Sequence, residues 1–417
     1  MKYIVLLCDG MADYPIPELG GRTPLEAANK PAMDELVKTA EVGLAKTVPD
    51  GMKPGSDVAN LSVMGYDPAK YYTGRSPLEA ANMGISLDDC DVAIRCNLVT
   101  LSDEEDFESK TMVDYCAGDI SSAEAAEIIK SVNEYLGNEK FSFYPGVSYR
   151  HCMIWKNGSV DIGNLTPPHD ISGRIIGQYL DRDEGAAELI EMMKKSGDLL
   201  KNHPVNLKRI AQGKRPATHI WLWGQGKKAV LDDFYKKNRL KGSVVSAVDL
   251  VQGIGTCANM NVVKVEGATG YIDTNFAGKM QAAFDQLKNG QDYVYIHVEA
   301  PDECGHRGEI QNKVRAIEEI DRQILAPLVE RLKGLDDYTI LIMPDHPTPL
   351  STMTHASDPV PYMLYRSNKP VRSSGVFSEK SAKDSGIYVD KAHLLIDKMK
   401  ENIENMSEGT ESVCKKI

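Results

Sequence analysis

Three short apolar runs, each followed within a few residues by an acidic side chain, restrict most strongly how this chain can fold. The pairs are residues 3–7 with Asp9, residues 293–298 with Asp302, and residues 338–343 with Asp345. Such runs are typical of strands buried on both faces, and sites in open α/β sheets collect outside the carboxyl ends of these strands. The sequence therefore predicts neighbouring strands that deliver their acidic side chains to one shared site.

Histidines accompany two of these acidic residues. His306 follows Asp302 at a spacing of four, so the two side chains share a face if the segment is helical. His346 is next to Asp345, and His355 lies in the loop that follows. Carboxylates and imidazoles together suit Mn²⁺ or Zn²⁺ better than Ca²⁺, which prefers oxygen ligands. We therefore expect two divalent ions, an arrangement that clamps a phosphoryl group.

Ser56 and three further histidines give a weaker signal. His219, His297 and His393 lie in apolar runs and are predicted to be buried core residues. Ser56 follows Gly55 at the start of a predicted helix. Its hydroxyl either caps that helix, which the residues alone favour, or acts as a nucleophile where the helix dipole stabilises an anion.

Arg75 precedes a helix start, at residues 75–82, that nearly repeats residues 22–29. The two segments are either ordinary capped helix starts or, for Arg75, a place where a guanidinium beside a helix N-terminus holds an anion. The residues alone favour the ordinary helix starts.

Length and charge limit what kind of protein this can be. With 417 residues the chain fits two domains, and its net charge of −12 disfavours nucleic-acid or anionic-membrane partners. Eight cysteines without close pairs are typical of reduced thiols in a cytoplasmic protein, and the first apolar run is too short for a signal peptide or membrane span.

A change of character along the chain indicates an inserted domain. Residues 88–213 alternate between strand and helix patterns and are predicted to form an α+β insertion, with residues 1–87 and 214–417 forming the domain that carries the acidic strand ends. At the end of this insertion, residues 208–215 are predicted to be a solvated basic connector. In the second segment of the other domain, residues 253–255 are predicted to be a turn.

Several motifs resemble the metal motifs of the alkaline phosphatase superfamily. They are Asp9-Gly10, Gly55-Ser56-Asp57, Ala300-Pro301-Asp302 with Gly305-His306, Pro344-Asp345-His346, and Thr354-His355 with Pro359-Val360-Pro361. Within that superfamily, residues 72–75, 91–97 and 265–270 resemble the archaeal-type cofactor-independent phosphoglycerate mutases, and this resemblance covers nearly the whole chain.

The resemblance implies an α/β, alkaline-phosphatase-like doubly wound sheet with an inserted α+β lid domain. It implies that one ion is held by Asp302, His306 and His355, and the other by Asp9, Ser56, Asp345 and His346. Ser56 would be the catalytic nucleophile of a glycolytic isomerase that interconverts 3-phosphoglycerate and 2-phosphoglycerate. The reaction would proceed through a phosphoserine, without 2,3-bisphosphoglycerate and with water excluded by the lid. Arg75, Arg150 and His151 would hold the small phosphorylated substrate or assist proton transfer.

Two departures from the mutase pattern leave more than one function open. Where archaeal mutases carry arginines around an Ala-Gly-Arg-Ile segment, this chain has Asp119, and Ser76 stands where Gly is usual. These changes resemble a bacterial branch proposed to act as an alternative homoserine kinase, in which Asp119 would pair with a substrate ammonium. The residues are also compatible with a metal-dependent phosphohydrolase or a non-catalytic binding protein, and they leave the oligomeric state open.

Overall fold

The structure, a computed structural model, describes residues 1–163, 165–335, 337–371, 373 and 375–401, so Cys414 lies outside the described residues. The chain divides into two units: unit 1 combines Met1–Tyr72 with the chain from Leu231 onward, and unit 2 is Thr73–Val230. The boundaries predicted at 88 and 213 therefore fall inside unit 2. The reason is that a helix at Ser76–Asn82 packs on the strand Val92–Leu101, and the strand His219–Lys227 pairs with that same strand.

The strands of the described residues, in chain order, are β1 (Lys2–Cys8), β2 (Glu41–Ala45), β3 (Val92–Leu101), β4 (Met112–Asp114), β5 (Phe141–Tyr144), β6 (Arg150–Trp155), β7 (His219–Lys227), β8 (Gly242–Val245), β9 (Asn261–Val263), β10 (Tyr293–Val298), β11 (Tyr338–Met343), β12 (Val360–Arg366) and β13 (Tyr388–Val389).

The α-helices are α1 (Pro24–Ala27), α2 (Pro31–Leu36), α3 (Ser56–Val63), α4 (Pro68–Tyr71), α5 (Ser76–Asn82), α6 (Ser122–Leu136), α7 (Ala187–Leu200), α8 (Pro204–Ala211), α9 (Phe234–Asn238), α10 (Asp249–Cys257), α11 (Phe276–Lys288), α12 (Ala300–His306), α13 (Ile310–Ile320), α14 (Ala326–Leu332), α15 (Glu379–Asp384) and α16 (Leu395–Lys400). A π-helical turn, Asp321–Leu325, joins α13 to α14. Short 3₁₀ helices lie at Pro17–Leu19, Val37–Thr39, Phe107–Ser109, Pro168–Ile171, Ile176–Gln178, Glu184–Ala186 and Ala392–Leu394.

Unit 1 is built on a sheet with the strand order β13-β2-β12-β11-β1-β10-β8-β9. Its middle strands run parallel: β1 pairs with both β10 and β11, and β8 pairs with β10 and β9. Antiparallel β12 joins this block to β2. Because β10, β1 and β11 are adjacent and parallel, their carboxyl ends meet at one edge of the sheet.

Helices cover both faces of this sheet. Ile4 and Leu6 of β1 belong to a buried cluster that includes Phe276 of α11 and Ile317 of α13. On the opposite face, α10 contacts β8 and α16 contacts β11. Side chains on both faces are therefore buried, which explains why these strands form continuous apolar runs rather than alternating ones. Among the described residues, no helix has the length and apolar character needed to cross a membrane.

Unit 2 has an antiparallel sheet of its own. β3 pairs with β4, β6 and β7, and β5 pairs with β6. Its hydrophobic core combines this sheet with α6 and α7, including Ile128 and Leu189. Separate cores explain why the chain can carry unit 2 as an insertion between two segments of unit 1.

One local prediction is wrong, and a second is only partly confirmed. Residues 253–255 lie inside α10 rather than in a turn, and Gly255 allows the helix to approach β8, because a Cβ there would lie 2.9 Å from a Val244 methyl carbon. Residues 208 and 210–215 are exposed, as predicted, but residues 208–211 belong to α8 and one arginine of the stretch is buried. Arg209 of α8 is 1% exposed, and it pairs with Glu124 at 2.8 Å while donating to the carbonyl of Ala117.

Candidate active site

The carboxyl ends of β1, β10 and β11 bring the three predicted carboxylates together. Asp9 follows β1 directly, Asp302 lies in α12 just after β10, and Asp345 follows β11. All three are buried, at 1%, 4% and 0% exposure. Gly10 makes this approach possible, because its φ of 61° is left-handed and a Cβ there would lie 2.6 Å from the Asp302 Cα. The structure therefore brings the three predicted carboxylates together at one sheet edge.

One group of donors contains Asp302, His306 and His355. His306 Nε2 lies 3.3 Å from Asp302 Oδ2, and His355 Nε2 lies 3.5 Å from Asp302 Oδ1. The two imidazole nitrogens are 2.9 Å apart. The spacing of four on α12 thus places Asp302 and His306 side by side, as the sequence predicted, and the loop after β11 adds His355.

The second group contains Asp9, Asp345, His346 and Ser56. His346 Nε2 lies 3.7 Å from Asp9 Oδ1 and 3.3 Å from Asp345 Oδ2. The Ser56 Oγ lies 3.2 Å from the same His346 nitrogen. A hydroxyl, two carboxylates and an imidazole therefore converge on one point.

Ser56 does not cap its helix. It is the first residue of α3, the N-cap is Gly55 with an extended φ of −178°, and the cap has no side-chain hydrogen bond. The interpretation of Ser56 as an N-cap residue, which the residues alone favoured, is therefore wrong. Its hydroxyl instead lies 3.2 Å from His346 Nε2, at the N-terminus of α3, where the helix dipole favours a negatively charged oxygen.

The pKa shifts of the carboxylates in the two groups indicate that bound cations would stabilise their ionised forms. Burial, together with the charges of Asp345 and Asp302, raises the pKa of Asp9 well above its ordinary value. Burial also opposes ionisation of Asp302, but hydrogen bonds with His306 and His355 outweigh it and hold the pKa of Asp302 well below its usual range. Three buried carboxylates at one edge can remain ionised together only when cations offset their repulsion.

An unsatisfied atom shows where a cation would fit. Asp9 Oδ1 is buried, and within the described residues it has no hydrogen-bond partner. Ligand atoms of Asp9, Asp345 and His346 lie within 4.8 Å of one another, as do those of Asp302, His346 and His355. Mixed carboxylate and imidazole donors at these separations fit a pair of divalent transition-metal ions.

His297 has a role that was not predicted from the sequence. It is fully buried in β10, as expected, but its Nε2 lies 2.8 Å from Asp9 Oδ2, and Ser246 Oγ lies 3.2 Å from its Nδ1. A signal was present in the sequence: Tyr293, Tyr295 and His297 alternate along β10 and so share one face of the strand. Three polar side chains on one face of a buried strand indicate a polar network rather than ordinary core packing.

Asn60 and Thr348 were not predicted either. Asn60 Nδ2 donates to Asp345 Oδ2 and to the Ser56 carbonyl, both at 2.9 Å, and Tyr295 Oη donates to Asn60 Oδ1 at 2.7 Å. The Thr348 hydroxyl donates to Asp302 Oδ1. These contacts orient the carboxylates and the serine. Asn60 follows Ser56 at a spacing of four in α3, which could have revealed their contact, but nothing in the spacing indicates the contacts with Asp345 and Asp302.

The predicted substrate residues lie in unit 2. Arg75 Nε lies 2.9 Å from Glu79 Oε1, and Arg95, which was not predicted, contacts the same oxygen at 2.6 Å. Burial works against ionisation of Glu79, but the charges of Arg95, Arg75 and Arg150 outweigh it, so its pKa is lowered. Three guanidinium groups thus lie around one largely buried carboxylate, and such a cluster can bind an anion.

The structure separates the side chain of His151 from that of Arg150. In β6, His151 is opposite Cys96 and Arg150 is opposite Asn97, so the two side chains leave opposite faces of the sheet. His151 Nδ1 accepts the amide N–H of Gly146, and burial, with the charges of nearby arginines, lowers the pKa of His151 to about 3. Asp119 is exposed between β4 and α6, with a φ of 47°.

Comparisons with known proteins found related families and sequences. A model of the 2,3-bisphosphoglycerate-independent phosphoglycerate mutase family matches residues 38–206, and one of the type I phosphodiesterase / nucleotide pyrophosphatase family matches residues 172–407. A Geobacter sulfurreducens protein named probable 2,3-bisphosphoglycerate-independent phosphoglycerate mutase is 51% identical over 96% of this chain and 99% of its own length. A Methanosarcina barkeri protein named 2,3-bisphosphoglycerate-independent phosphoglycerate mutase is 51% identical over 95% of this chain and 98% of its own.

Solved structures are similar across nearly the whole chain. A Pyrococcus horikoshii protein aligns with a TM-score of 0.78 and 27% identity, covering 97% of both chains. The cofactor-independent phosphoglycerate mutase of Thermoplasma acidophilum aligns with a TM-score of 0.61 and 25% identity, covering 96% of this chain and 99% of its own. The predicted α/β fold with its central sheet is therefore confirmed.

Proposed function

The chain belongs to the family of 2,3-bisphosphoglycerate-independent phosphoglycerate mutases, and on that basis we propose that it interconverts 3-phosphoglycerate and 2-phosphoglycerate. The observation that carries this proposal is the position of the Ser56 hydroxyl, 3.2 Å from His346 Nε2 at the start of α3. A serine placed among acidic and imidazole donors is suited to phosphoryl transfer.

The reaction consists of two transfers at Ser56. In the first, the Ser56 hydroxyl loses its proton and its oxygen forms a bond to the phosphorus of the substrate, while the bond from phosphorus to the glycerate oxygen breaks and that oxygen takes up a proton. In the second, the other hydroxyl of the glycerate loses its proton and attacks the phosphoserine. The bond from phosphorus to Ser56 then breaks, and the serine oxygen takes up a proton. The N–H groups in the first turn of α3 favour the negative charge on the transferring group.

We assign two divalent cations, Mn²⁺ or Zn²⁺, to the two donor groups. Asp302, His306 and His355 would hold one, and Asp9, Ser56, Asp345 and His346 would hold the other. When bound, such ions offset the charge of the phosphoryl oxygens and lower the pKa of the serine hydroxyl. The orphaned Asp9 Oδ1 and the mixed nitrogen and oxygen donors support this assignment.

Substrate binding is assigned to arginines of unit 2. Arg75 and Arg150, with Arg95 as an addition, offer guanidinium groups suited to a carboxylate or phosphate, and their clustering around Glu79 supports the choice. His151 is left out, because its side chain leaves the other face of β6. Asp119 was linked to the homoserine kinase hypothesis, which relatives of about half identity that carry the mutase name do not favour.

We also propose that the protein works in the cytoplasm, as a glycolytic enzyme. The described cysteines support this location, because Cys8, Cys90, Cys96, Cys116, Cys152, Cys257 and Cys304 are all free thiols. Membership in the mutase family supports the glycolytic role.

A direct assay distinguishes the proposed reaction from kinase and phosphohydrolase activity. The Mn²⁺-loaded protein is incubated with 3-phosphoglycerate, and 2-phosphoglycerate and free phosphate are both followed; a parallel reaction contains homoserine and ATP. We expect 2-phosphoglycerate to form without a matching release of phosphate, and no phosphohomoserine. Phosphate release without 2-phosphoglycerate would indicate a phosphohydrolase, and phosphohomoserine would indicate the kinase.

A further inference from the structure

His297 is buried between a hydroxyl and a candidate metal ligand. On one side of its ring, Nε2 lies 2.8 Å from Asp9 Oδ2. On the other, Nδ1 lies 3.2 Å from Ser246 Oγ, and that oxygen accepts the amide N–H of Val248 at 3.0 Å. The imidazole is 0% exposed, so solvent does not compete for either of its nitrogens. Hydrogen bonds therefore form a continuous series from the Val248 amide through Ser246 and His297 to the Asp9 carboxylate.

The direction of donation along this series follows from the groups at its two ends. With a cation bound, Asp9 is an ionised carboxylate that only accepts hydrogen bonds, so His297 Nε2 then carries the proton and donates it. Nδ1 is then the acceptor for the Ser246 hydroxyl, whose oxygen is already held by a backbone N–H. Ser246 thereby selects the His297 tautomer that points a donor at Asp9.

A buried lysine also contacts the backbone of His297. Lys279, in α11, is 0% exposed, and its Nζ donates to the carbonyl oxygen of His297 at 3.0 Å. This contact ties the carboxyl end of β10 to the helix beneath the sheet. Burying the Lys279 ammonium is costly, and its hydrogen bond holds the backbone of His297 in place.

The two oxygens of Asp9 consequently have different environments. Oδ2 accepts from His297, whereas Oδ1 is buried without a hydrogen-bond partner among the described residues and lies 3.7 Å from His346 Nε2. The geometry points to His297 as a positioning residue: by holding Oδ2, it directs Oδ1 to the cation bound with Asp345, His346 and Ser56. This inference rests on the two-cation site of the proposed function.

Mn²⁺ titration of the metal-free protein by isothermal calorimetry tests this inference without an activity readout. We expect two binding steps in the wild type. His297→Leu removes the donor and should weaken one step by about 10- to 100-fold, the usual cost of losing a contact that orients a ligand. His297→Gln can place an amide N–H near the position of Nε2 and should restore most of that affinity.

Further variants make the result specific. Asp302→Asn should weaken the other step, which identifies the step that His297→Leu affects. His219→Leu is the matched control, because His219 is also buried, at 7% exposure, but lies in unit 2; both steps should stay unchanged. If His297→Leu fails to fold by circular dichroism, His297→Asn replaces it, since its shorter amide falls short of Asp9.

Wild-type affinity at both steps in these variants would overturn the inference, and so would an equal loss at both steps or no restoration by His297→Gln. The outcome is separable from the proposed reaction. A protein that binds two Mn²⁺ ions with the expected pattern but forms no 2-phosphoglycerate would contradict the mutase proposal and support the role of His297.

Discussion

Asn60 connects the serine helix to the carboxylates of the site. Its side chain donates to Asp345 and to the Ser56 carbonyl while accepting from Tyr295. Asn60→Leu keeps the volume but leaves these three buried groups without their partner. We expect a loss of about 1–3 kcal/mol in the free energy of unfolding for the unsatisfied groups, together with a lower kcat.

Urea denaturation and steady-state kinetics check this prediction. Asn206→Leu is a matched control for kcat, because Asn206 is also buried and hydrogen-bonded, but it lies in unit 2 and bonds the carbonyls of Leu200 and Ala217. It should lower stability with little change in kcat. An Asn60→Leu variant with wild-type stability and kcat would show that Asn60 holds neither group.

Glu379 should make stability depend on pH. Burial raises its pKa from 4.5 to about 7, and its carboxyl group accepts from Thr23 Oγ1 and the Asp13 amide. Between these two values the folded state binds more protons than the unfolded state. The stability from this group is therefore fully present below about pH 4.5 and is lost as the pH rises through about 7.

Glu379→Gln removes the titration. From about pH 5 to about pH 8, the wild type should lose roughly 2.5 kcal/mol of unfolding free energy relative to the variant. Urea denaturation of both proteins across this range measures the difference. Parallel stability profiles for the two proteins would mean that Glu379 is ionised at all of these pH values in the folded state.

Some residues of the site were predictable from their neighbours in the sequence, and others were not. Asp9, Asp302 and Asp345 were predictable, because each follows its own apolar run. The contacts of His297 and Asn60 were not, since His297 and Asp9 are separated by 288 positions and Asn60 and Asp345 by 285. The register of β1 against β10 brings His297 beside Asp9, and the position of α3 in the fold brings Asn60 to Asp345.

At the scale of elements, a buried ion pair anchors the loop that carries His355. Lys313 Nζ, in α13, lies 2.7 Å from Asp13 Oδ2 and donates to the Thr348 carbonyl at 2.8 Å. The Leu350 amide donates to the same Asp13 carboxylate. The pair is 0% and 1% exposed, so the loop after β11 is tied to the loop after β1 without help from solvent.

Lys313→Met should therefore be costly. It leaves the Asp13 carboxylate buried and unpaired, and we expect a loss of about 3–5 kcal/mol in unfolding free energy. The double variant Asp13→Asn with Lys313→Met removes both charges and should lose less than the two single variants together. A double-mutant cycle by urea denaturation gives the coupling energy, and additive losses would mean that the two charges do not interact.

The elements show where sequence patterns succeed and fail. The apolar spacing after His306, which includes Ile310, Ile317 and Ile324, repeats over many turns and predicts a long amphipathic helix. This segment is present as α13, a π-helical turn and α14. The turn expected at residues 253–255 is a helix instead. Glycines favour turns in isolation, but here Gly255 allows the close approach of α10 to β8, which is a tertiary effect.

At the scale of the whole molecule, all of the candidate metal ligands lie in unit 1. Each unit also has its own hydrophobic core. Bound Mn²⁺ should therefore stabilise unit 1 selectively, by about 2.7 kcal/mol when the free ion is at 100 times its Kd. Hydrogen exchange should slow in β1, β10 and β11 on addition of Mn²⁺ and stay unchanged in β3 and β7. Equal slowing in both units would contradict this prediction.

The division into units was only partly predictable. Residues 88–213 change in pattern, which revealed an insertion, but α5 and β7 belong to unit 2 through their packing on β3. Pairing between strands that are far apart in the sequence produces no recognisable sequence pattern at the domain boundary. The fold class follows from apolar runs and motifs, whereas the limits of the insertion follow from contacts.

The central claim is that Ser56 carries the phosphoryl group, and trapping that group tests it most directly. The Mn²⁺-loaded protein is mixed with 3-phosphoglycerate, quenched in acid, digested and examined by mass spectrometry. The peptide containing Ser56 should gain one phosphoryl group. Ser56→Ala should abolish the modification and lower the mutase rate by about 10³-fold or more, whereas Ser62→Ala, in the same helix, should keep both. A phosphoryl group on another residue, or a Ser56→Ala variant that still interconverts the two phosphoglycerates, would contradict the claim.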